Sequence, residues 1–328
     1  MKTLREETAN AVRHLVLDRA AEYNTITPAL RDELAAAIDR ADADRDVHVI
    51  LLRAEGPAFC AGYGLDWATA AESRSSTPPR QDDRLDHPAS ARAASARSEP
   101  KASEVNSSSE AEVSESRVAS RRRAATSRVW DSVADLAMMG RFVDTYMKLW
   151  YAKKPTIAAV QGWCIGGGTD MVLCADLIVA AESAVFGYPP SRVWGTPTTA
   201  MWVYRMGLEQ AKRYLLTGDE IRARTAAEIG LVLEVVPDAD LAAHATALAE
   251  RMAQVPVNQL VMLKLLCNQT VENMGFASSR LLGTLFDGVA RHTQEGLDFV
   301  RRAGAVGFRQ AVRERDDPFE DYGSRKKR

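Results

Sequence analysis

The stretch from Lys154 to Phe186 constrains the fold more than any other part of this chain. Pro155 ends the preceding segment, and Thr156 to Val160 is a short β-branched apolar run typical of a buried strand. Gln161-Gly162 breaks that run, and three glycines then lead into Thr169 to Ala175, whose apolar residues recur at helical spacing. A helix N-terminus presents unpaired N–H groups, and glycine lets a ligand approach that backbone closely. The stretch therefore predicts a site for an anion or an oxyanion.

A second glycine-bearing loop follows another apolar run. Val47 to Arg53 reads VHVILLR, a run typical of a buried strand, and residues 54–67, AEGPAFCAGYGLDW, form an irregular loop with three glycines. Two strand ends that each open into a glycine loop can offer one backbone N–H apiece to a single oxygen. A thioester carbonyl that becomes an enolate needs such a pair of donors.

These segments resemble the crotonase (enoyl-CoA hydratase/isomerase) superfamily. The matching residues are FCAGYGL (Phe59 to Leu65), KPTIAAVQGWCIGGGTD (Lys154 to Asp170), CADLIVAAESAVFGYP (Cys174 to Pro189) and LLTGDEIRARTAAEIGLVLEVVP (Leu215 to Pro237). The resemblance implies an α/β fold with a crotonase-type ββα spiral core and a C-terminal helical region that forms trimers, often paired into hexamers. It implies an acyl-CoA thioester substrate and no separate cofactor, because coenzyme A is part of the substrate.

The resemblance assigns both oxyanion donors to the backbone, at the N–H groups of Tyr63 and Gly167. The two glycine loops would also contact the thioester and the pantetheine arm. The predicted substrate and CoA-binding residues are Ala61, Tyr63, Gly64, Leu65, Asp66, Gly166 and Gly167. Gly64 departs from the family, which usually has an aspartate at this position.

The acid/base positions also depart from the family pattern, in which a typical hydratase uses two glutamates. The first position is Asp170, which keeps a carboxylate, and the second is Pro190, which can neither donate nor accept a proton. One carboxylate can still hydrate a double bond, move it, or activate water against the thioester. We therefore predict a 2-enoyl-CoA hydratase with a single catalytic carboxylate, Asp170. The alternatives are an isomerase, an acyl-CoA hydrolase, and a CoA-thioester-binding protein without catalysis.

Other readings of the site residues stay open on the sequence alone. An acidic residue in the first turn of a helix, such as Asp170, is favoured by the helix dipole by about 0.3–1 kcal/mol without any catalytic role. Residues 187–207, rich in Pro, Gly and aromatics, suit the wall of an acyl pocket or plain core. The candidate pocket residues are Trp163, Tyr188, Pro190 and Trp194, with Trp202 beside them. Arg192 is predicted to form a structural salt bridge.

Composition divides the chain into five predicted parts. Residues 1–70 begin the core, with a strand at Val12 to Leu17 and a helix capped by Thr27. Residues 71–128 carry few large apolar side chains and are predicted to be a disordered insert. Residues 129–238 complete the core and the acyl-CoA site, starting with a helix, and residues 239–310 form the oligomerising helices. Residues 311–328 are predicted to be a charged tail that frays from Arg313.

Charge and motif content disfavour several functional classes. A net charge of -2 and a pI near 6.3 give no reason to expect a nucleic acid or a membrane as partner. The five histidines and four cysteines show no metal-ligand spacing, and neither a P-loop, a dinucleotide fingerprint nor a GxSxG elbow is present. No secretory or transmembrane run occurs, so we expect a cytoplasmic protein with reduced thiols.

Overall fold

Ten strands form two sheets within residues 3–64 and 130–322, the part of the chain that the computed structural model describes. The larger sheet has the order β1-β2-β3-β5-β7-β10 and is parallel except for the β1–β2 pair. The smaller sheet has the order β4-β6-β8-β9, with an antiparallel β8–β9 pair. The strands are β1 (Leu4–Ala9), β2 (Val12–Leu17), β3 (Val49–Ala54), β4 (Ala58–Cys60), β5 (Thr156–Val160), β6 (Trp163–Ile165), β7 (Leu177–Ala181), β8 (Val185–Gly187), β9 (Ile221–Arg222) and β10 (Glu234–Val236).

Helices follow most of these strands, which confirms the predicted α/β class. Helix α1 begins as predicted, because Thr27 Oγ1 accepts a hydrogen bond of 3.2 Å from Leu30 N–H. The described helices are α1 (Pro28–Ala43), α2 (Ser132–Tyr151), α3 (Gly167–Val172), α4 (Met201–Met206), α5 (Leu208–Thr217), α6 (Ala223–Glu228), α7 (Leu241–Ala253), α8 (Val257–Asn273), α9 (Phe276–Arg291), α10 (Gln294–Val306) and α11 (Phe308–Asp316). Short 3₁₀ turns occur at Ala20–Glu22, Pro189–Arg192, Asp238–Asp240 and Asp317–Phe319.

Strand β1 is an element that sequence reasoning missed. It pairs with β2 through a hairpin whose turn residues, Asn10 and Ala11, have φ values of 50° and 60°. Positive φ at both turn residues matches the twist of the two strands. Five of the six residues of β1 are exposed, so the strand carries no apolar alternation that a sequence pattern could reveal.

The central strands of the larger sheet are buried on both faces. In β3, Val49 and Leu51 pack in one cluster with helix α7, whereas Ile50 and Leu52 pack in the main core on the other face. Burial on both faces explains why these strands read as continuous apolar runs instead of alternating ones. No helix among the described residues is both long enough and apolar enough to cross a membrane.

The connections from the larger to the smaller sheet position the glycine loops. Strands β3 and β5 are parallel neighbours, and each continues into a strand of the smaller sheet, β4 and β6. Those two strands are also parallel neighbours, with Cys60 opposite Cys164. Because neighbouring parallel strands end at the same edge of a sheet, the loop after β4 meets the loop after β6.

The C-terminal segment corrects one prediction and confirms another. The predicted fraying from Arg313 is wrong as far as Tyr322, since α11 and a 3₁₀ turn continue the chain. Arg192 links this segment to the core: its side chain is 2% exposed and pairs with Asp316 at 2.9 Å and with Asp321 at 2.6 Å. The predicted structural salt bridge of Arg192 is therefore confirmed. The predicted insert, residues 71–128, and residues 323–328 lie outside the described residues.

Candidate active site

The loop after β4 and the glycine triplet after β6 lie in contact. A Cβ atom placed on Gly62 would be 3.0 Å from Ile165 O and 4.0 Å from Gly167 N. Gly62 and Gly166 have φ values of +89° and +57°, a conformation that only glycine adopts without strain. The two glycine loops, more than a hundred residues apart in the sequence, therefore come together at one place.

Gly167 is the first residue of helix α3, so its N–H group has no acceptor within that helix. A Cβ atom on Gly167 would lie 2.6 Å from Tyr63 Cε2 and 3.0 Å from Ile26 Cδ1. Such distances are shorter than van der Waals contact. The position therefore requires glycine because the neighbouring loop packs directly against the helix start.

The backbone of Tyr63 is fixed by its neighbours on either side. Ile26 N–H donates to Gly62 O at 2.9 Å, and Gly64 N–H donates to Ile26 O at 3.2 Å. Successive N–H groups along an extended chain point in opposite directions, so the N–H group of Tyr63 points away from Ile26. The predicted oxyanion donors, Tyr63 and Gly167, are thus neighbours in space.

The side chain of Tyr63 is packed between aromatic rings. Its ring meets Phe142 edge to face at a centroid distance of 5.5 Å, and Tyr146 Oη–H donates to Tyr63 Oη at 2.9 Å. Burial raises the pKa of both phenols well above the usual value. Both therefore stay protonated at neutral pH, and the pair forms a neutral wall beside Gly167.

Asp170 lies on helix α3 and is completely buried. Its Oδ2 atom accepts hydrogen bonds from the backbone N–H of Thr198 at 2.7 Å and from Thr198 Oγ1 at 3.0 Å. Its Oδ1 atom accepts one from Trp202 Nε1 at 2.8 Å. Three donors therefore fix the orientation of a carboxylate that has no contact with solvent.

Burial raises the pKa of Asp170 to about 6, while the hydrogen bonds from Trp202 and Thr198 oppose that rise and the charge of Asp287 adds to it. A carboxylate with this pKa is mostly ionised at pH 7 and gains a proton easily. That is the property required of a general acid/base.

One of the predicted pocket residues, Pro190, lies beside the glycine triplet, and a second, Tyr188, lies near Pro190 at Gly195. The ring of Pro190 packs on Gly166, where a Cβ atom would be 3.6 Å from Pro190 Cγ. Tyr188 is buried and its hydroxyl donates to Thr196 O at 2.7 Å. Pro190 thus stands next to the predicted oxyanion site but brings no group that can transfer a proton.

The three tryptophans of the predicted pocket have other neighbours. The ring centroid of Trp163 lies 6.3 Å from that of Tyr322, and the centroid of Trp194 lies 5.2 Å from that of Phe299. Both partners belong to the C-terminal segments. Trp202, in helix α4, binds Asp170 directly, a polar role that its aromatic-rich stretch of sequence did not reveal.

The remaining predicted CoA-contact residues use their backbone within the fold. Ala61 N–H donates to Tyr23 O at 3.1 Å, and Gly166 N–H donates to Gly187 O at 2.9 Å. Gly64 N–H pairs with Ile26 O, as described above. Leu65 and Asp66 lie outside the described residues.

Asp287, on helix α9, is a buried acidic residue near Pro190 that sequence reasoning missed. It is 6% exposed, and its Oδ2 atom accepts a hydrogen bond of 3.0 Å from Arg291 Nε. A Cβ atom on Gly195 would lie 3.4 Å from Asp287 Oδ1 and 3.0 Å from Pro190 Cβ. The signal that could have found it is an aspartate inside the apolar run LLGTLFDGVA of a helix.

No three histidine, cysteine, aspartate or glutamate side chains in the described part of the chain are grouped so that they could hold a metal ion. Cys60, Cys164 and Cys174 are free and buried. Burial raises the pKa of Cys60 to about 12. Such a thiol is not a nucleophile at neutral pH.

Comparisons with known proteins identify the family of this chain. The sequence pattern of the enoyl-CoA hydratase/isomerase family matches residues 7–87 and 132–304. A Mycobacterium tuberculosis protein named as an enoyl-CoA hydratase, EchA13, is 32% identical to this chain over 272 residues. The match covers 81% of this chain and 72% of the relative.

Solved structures show the same fold. The crystal structure of an enoyl-CoA hydratase from Mycobacterium smegmatis is 38% identical, with a TM-score of 0.80 over 99% of this chain and 97% of that chain. An enoyl-CoA hydratase/isomerase from Xanthobacter autotrophicus Py2 is 25% identical, with a TM-score of 0.73 over 97% of this chain and 98% of that chain. The predicted crotonase-type fold is therefore confirmed.

Proposed function

The chain belongs to the enoyl-CoA hydratase/isomerase family, and from that membership we propose that it adds water reversibly to a 2-enoyl-CoA thioester. The observation that carries the proposal is the contact between the loop of Tyr63 and the start of helix α3 at Gly167. The N–H groups of these two residues are the proposed oxyanion hole. Ala61, Gly64, Leu65, Asp66 and Gly166 are proposed to flank the thioester and the pantetheine arm.

In the proposed reaction the thioester oxygen accepts hydrogen bonds from both backbone N–H groups. Water adds to C3, and the electron pair of the C2–C3 double bond moves toward the thioester to give an enolate. The two donors stabilise the negative charge that develops on the oxygen. Each such donor is worth roughly 10²- to 10³-fold in rate when it is already in place.

Asp170 is the proposed acid/base. It removes a proton from water and delivers a proton to C2. Its pKa of about 6 supports this role, because both protonation states are accessible near neutral pH. The donors on its two oxygen atoms hold the carboxylate in one orientation. That orientation supports proton transfer along a fixed path.

The absence of a proton-transferring group at Pro190 keeps other functions open. A site with one carboxylate also suits double-bond isomerisation or thioester hydrolysis, and a site that lost its catalysis would bind CoA thioesters without turnover. All of these share the oxyanion hole. Product identity therefore separates them, whereas binding does not.

The test follows the ultraviolet absorbance of the conjugated enoyl thioester with a panel of 2-enoyl-CoAs of different chain lengths. Loss of absorbance, with the product identified by mass as the 3-hydroxyacyl-CoA, supports hydration. Asp170→Asn is expected to abolish the loss, and Gly140→Ala, at a helix position with no atom within 4 Å of the added carbon, is the matched control. Release of free CoA indicates a hydrolase, and a shifted double bond indicates an isomerase. No reaction with any chain, despite binding, contradicts the hydratase.

We also propose that the chain forms a homotrimer or a homohexamer through its C-terminal helices. Large apolar side chains on α8 and α9 are about half exposed or more, which supports a covered surface in the assembly. These residues are Met262, Leu263, Leu265, Leu266, Leu281, Leu282 and Phe286. Light scattering after size-exclusion chromatography measures the mass directly, and a monomer across the accessible concentration range contradicts the proposal.

A further inference from the structure

Hydration needs one group to take a proton from water and another proton to reach C2. Pro190 can neither take nor give a proton. A carboxylate from a distant part of the chain lies in the space beside it. A Cβ atom on Gly195 would touch both Pro190 Cβ, at 3.0 Å, and Asp287 Oδ1, at 3.4 Å. Because Gly195 has no side chain, Asp287 and the proline ring face each other across this residue. Tyr188 Oη lies 3.7 Å from the same point.

Asp287 is held in place from outside the site. Arg291 lies one turn further along α9 and donates a hydrogen bond of 3.0 Å to Asp287. The same guanidinium donates two hydrogen bonds of 2.9 Å to Asp135 of α2. Arg291 donates to the Oδ2 atom of Asp287, whereas the Oδ1 atom lies on the Pro190 side. The carboxylate is thus oriented by a cation behind it.

The two buried carboxylates are linked through one loop. Thr198 binds Asp170, and a backbone hydrogen bond from Thr196 lowers the pKa of Asp287. Burial raises the pKa of Asp287 above its usual value, with Arg291 opposing the rise. The charge of Asp287 also raises the pKa of Asp170. The loop that carries Thr196 and Thr198 therefore contacts both carboxylates.

We propose that Asp287 is the second acid/base carboxylate of the site, supplied by helix α9 in place of the group missing at Pro190. The proposal rests on the proposed function and replaces its single-carboxylate form. In the hydration step the oxygen of water bonds to C3, and the ionised member of the pair takes one water proton. The C2–C3 electron pair becomes the enolate, and the protonated member then gives its proton to C2. The pair ends with the proton count it started with, and water has been added.

A purely structural role for Asp287 makes a different prediction. If Asp287 only anchors Arg291 and the loop of Thr196, then any anion that pairs with Arg291 replaces it. If it transfers protons, the replacement must be a base. Asp135 provides a matched control, because it binds the same guanidinium from the other side.

The experiment uses Asp287→Ala, Asp287→Asn and Asp135→Asn in the full-length chain. Hydration of 2-enoyl-CoA is measured beside deuterium incorporation at C2 of a saturated acyl-CoA in D2O, with sodium formate or sodium nitrate added. We expect Asp287→Ala and Asp287→Asn to lose about 10²- to 10⁴-fold in both rates while still binding acyl-CoA. Formate restores Asp287→Ala by at least about tenfold, and nitrate, which is planar and anionic but not basic, does not. Asp135→Asn loosens Arg291 but removes no proton-transferring group, so its loss is at least about tenfold smaller than that of Asp287→Asn, and formate does not restore it.

The outcomes separate this proposal from the proposed function. Wild-type rates in either Asp287 variant, equal rescue by nitrate, or an equal loss in Asp135→Asn overturns the role of Asp287 and leaves the hydratase standing. If Asp287→Ala does not fold, Asp287→Asn, which keeps the shape of the side chain, decides by its rates. If the wild-type protein exchanges C2 protons but hydrates no substrate, the proposed hydratase function is overturned. The role of Asp287 is then decided by the C2 exchange rates of its variants. A wild-type protein with neither activity overturns both.

Discussion

Substitution of Gly167 by alanine tests whether the contact between the two glycine loops forms the site. The added Cβ atom would lie 2.6 Å from Tyr63 Cε2 and 3.1 Å from Tyr63 Cζ. Carbon atoms pack at roughly 3.5–4.0 Å, so the ring must move by about 1 Å. Phe142 and the hydroxyl of Tyr146 hold that ring, and hence the loop itself must shift.

The size of the effect follows from what that shift displaces. The ring belongs to the same residue as one proposed oxyanion donor, and Gly167 supplies the other. A displacement of about 1 Å costs on the order of 10²-fold in rate, and loss of one donor costs on the order of 10²- to 10³-fold. We therefore expect Gly167→Ala to lower kcat/KM for a 2-enoyl-CoA by about 10²- to 10³-fold. Urea unfolding should show a loss of stability of about 1–3 kcal/mol from overpacking.

A second substitution separates steric damage from the loss of a chemical group. Tyr63→Ala with Gly167→Ala removes both of the tyrosine contacts and keeps both backbone N–H groups. We expect the double variant to recover to within about tenfold of Tyr63→Ala alone, since the donors are backbone atoms. Gly140→Ala on α2, with open space around it, should leave turnover unchanged. Wild-type turnover in a folded Gly167→Ala variant would refute the reasoning.

Three further predictions concern buried charges. Because folding raises the pKa of Asp170 from 3.8 to about 6, its protonated form stabilises the fold. This contribution of about 3 kcal/mol is present below pH 4 and lost as the pH rises through 6. The unfolding free energy of Asp170→Asn, measured in urea, should lack this pH dependence. A variant with the pH dependence of the wild type contradicts the prediction. Trp202→Phe removes a hydrogen-bond donor to Asp170 and should raise the pKa of Asp170 further. The acidic limb of the pH profile of kcat/KM should then move about one pH unit higher, and an unchanged profile contradicts this prediction. Arg192→Leu leaves Asp316 and Asp321 without their cation and should cost about 3–5 kcal/mol of unfolding free energy, whereas a loss below about 1 kcal/mol argues against a buried pair.

Much of the fold could be predicted from local patterns in the sequence. The strand at Thr156 to Val160, the cap at Thr27 and the start of a helix after the glycine triplet depend on neighbouring residues, and the structure confirms each of them. The helix predicted to begin residues 129–238 is α2, which buries Met139, Phe142, Val143 and Met147 but leaves Val133 exposed. These features follow from residue spacing, which needs no knowledge of the rest of the fold.

Long-range features could not be read in the same way. Strand β1 is polar and is held by its antiparallel pairing with β2, and the segment after Arg313 is held by Arg192, which binds two aspartates in it. Asp287 lies near Pro190 because α9 places its carboxylate beside Gly195. In each case the deciding contact joins residues far apart in the sequence.

The site itself divides in the same manner. The positions of Tyr63, Gly167, Asp170 and Pro190 came from the resemblance to the crotonase superfamily. Thr198 and Trp202, the partners of Asp170, came from the structure. The roles of these residues stay predictions, as do the oligomeric state and the cytoplasmic location. Direct measurements on the bound thioester are therefore the most informative.

The most direct measurement is difference infrared spectroscopy of a saturated acyl-CoA labelled with ¹³C at the thioester carbonyl. Two backbone N–H groups in a buried site polarise that carbonyl more strongly than water does. We predict that the carbonyl stretching frequency is lower in the complex with the wild-type protein than in water, and that Gly167→Ala, still folded and still binding, loses this shift. A bound carbonyl that absorbs at its frequency in water would contradict the oxyanion hole at Tyr63 and Gly167.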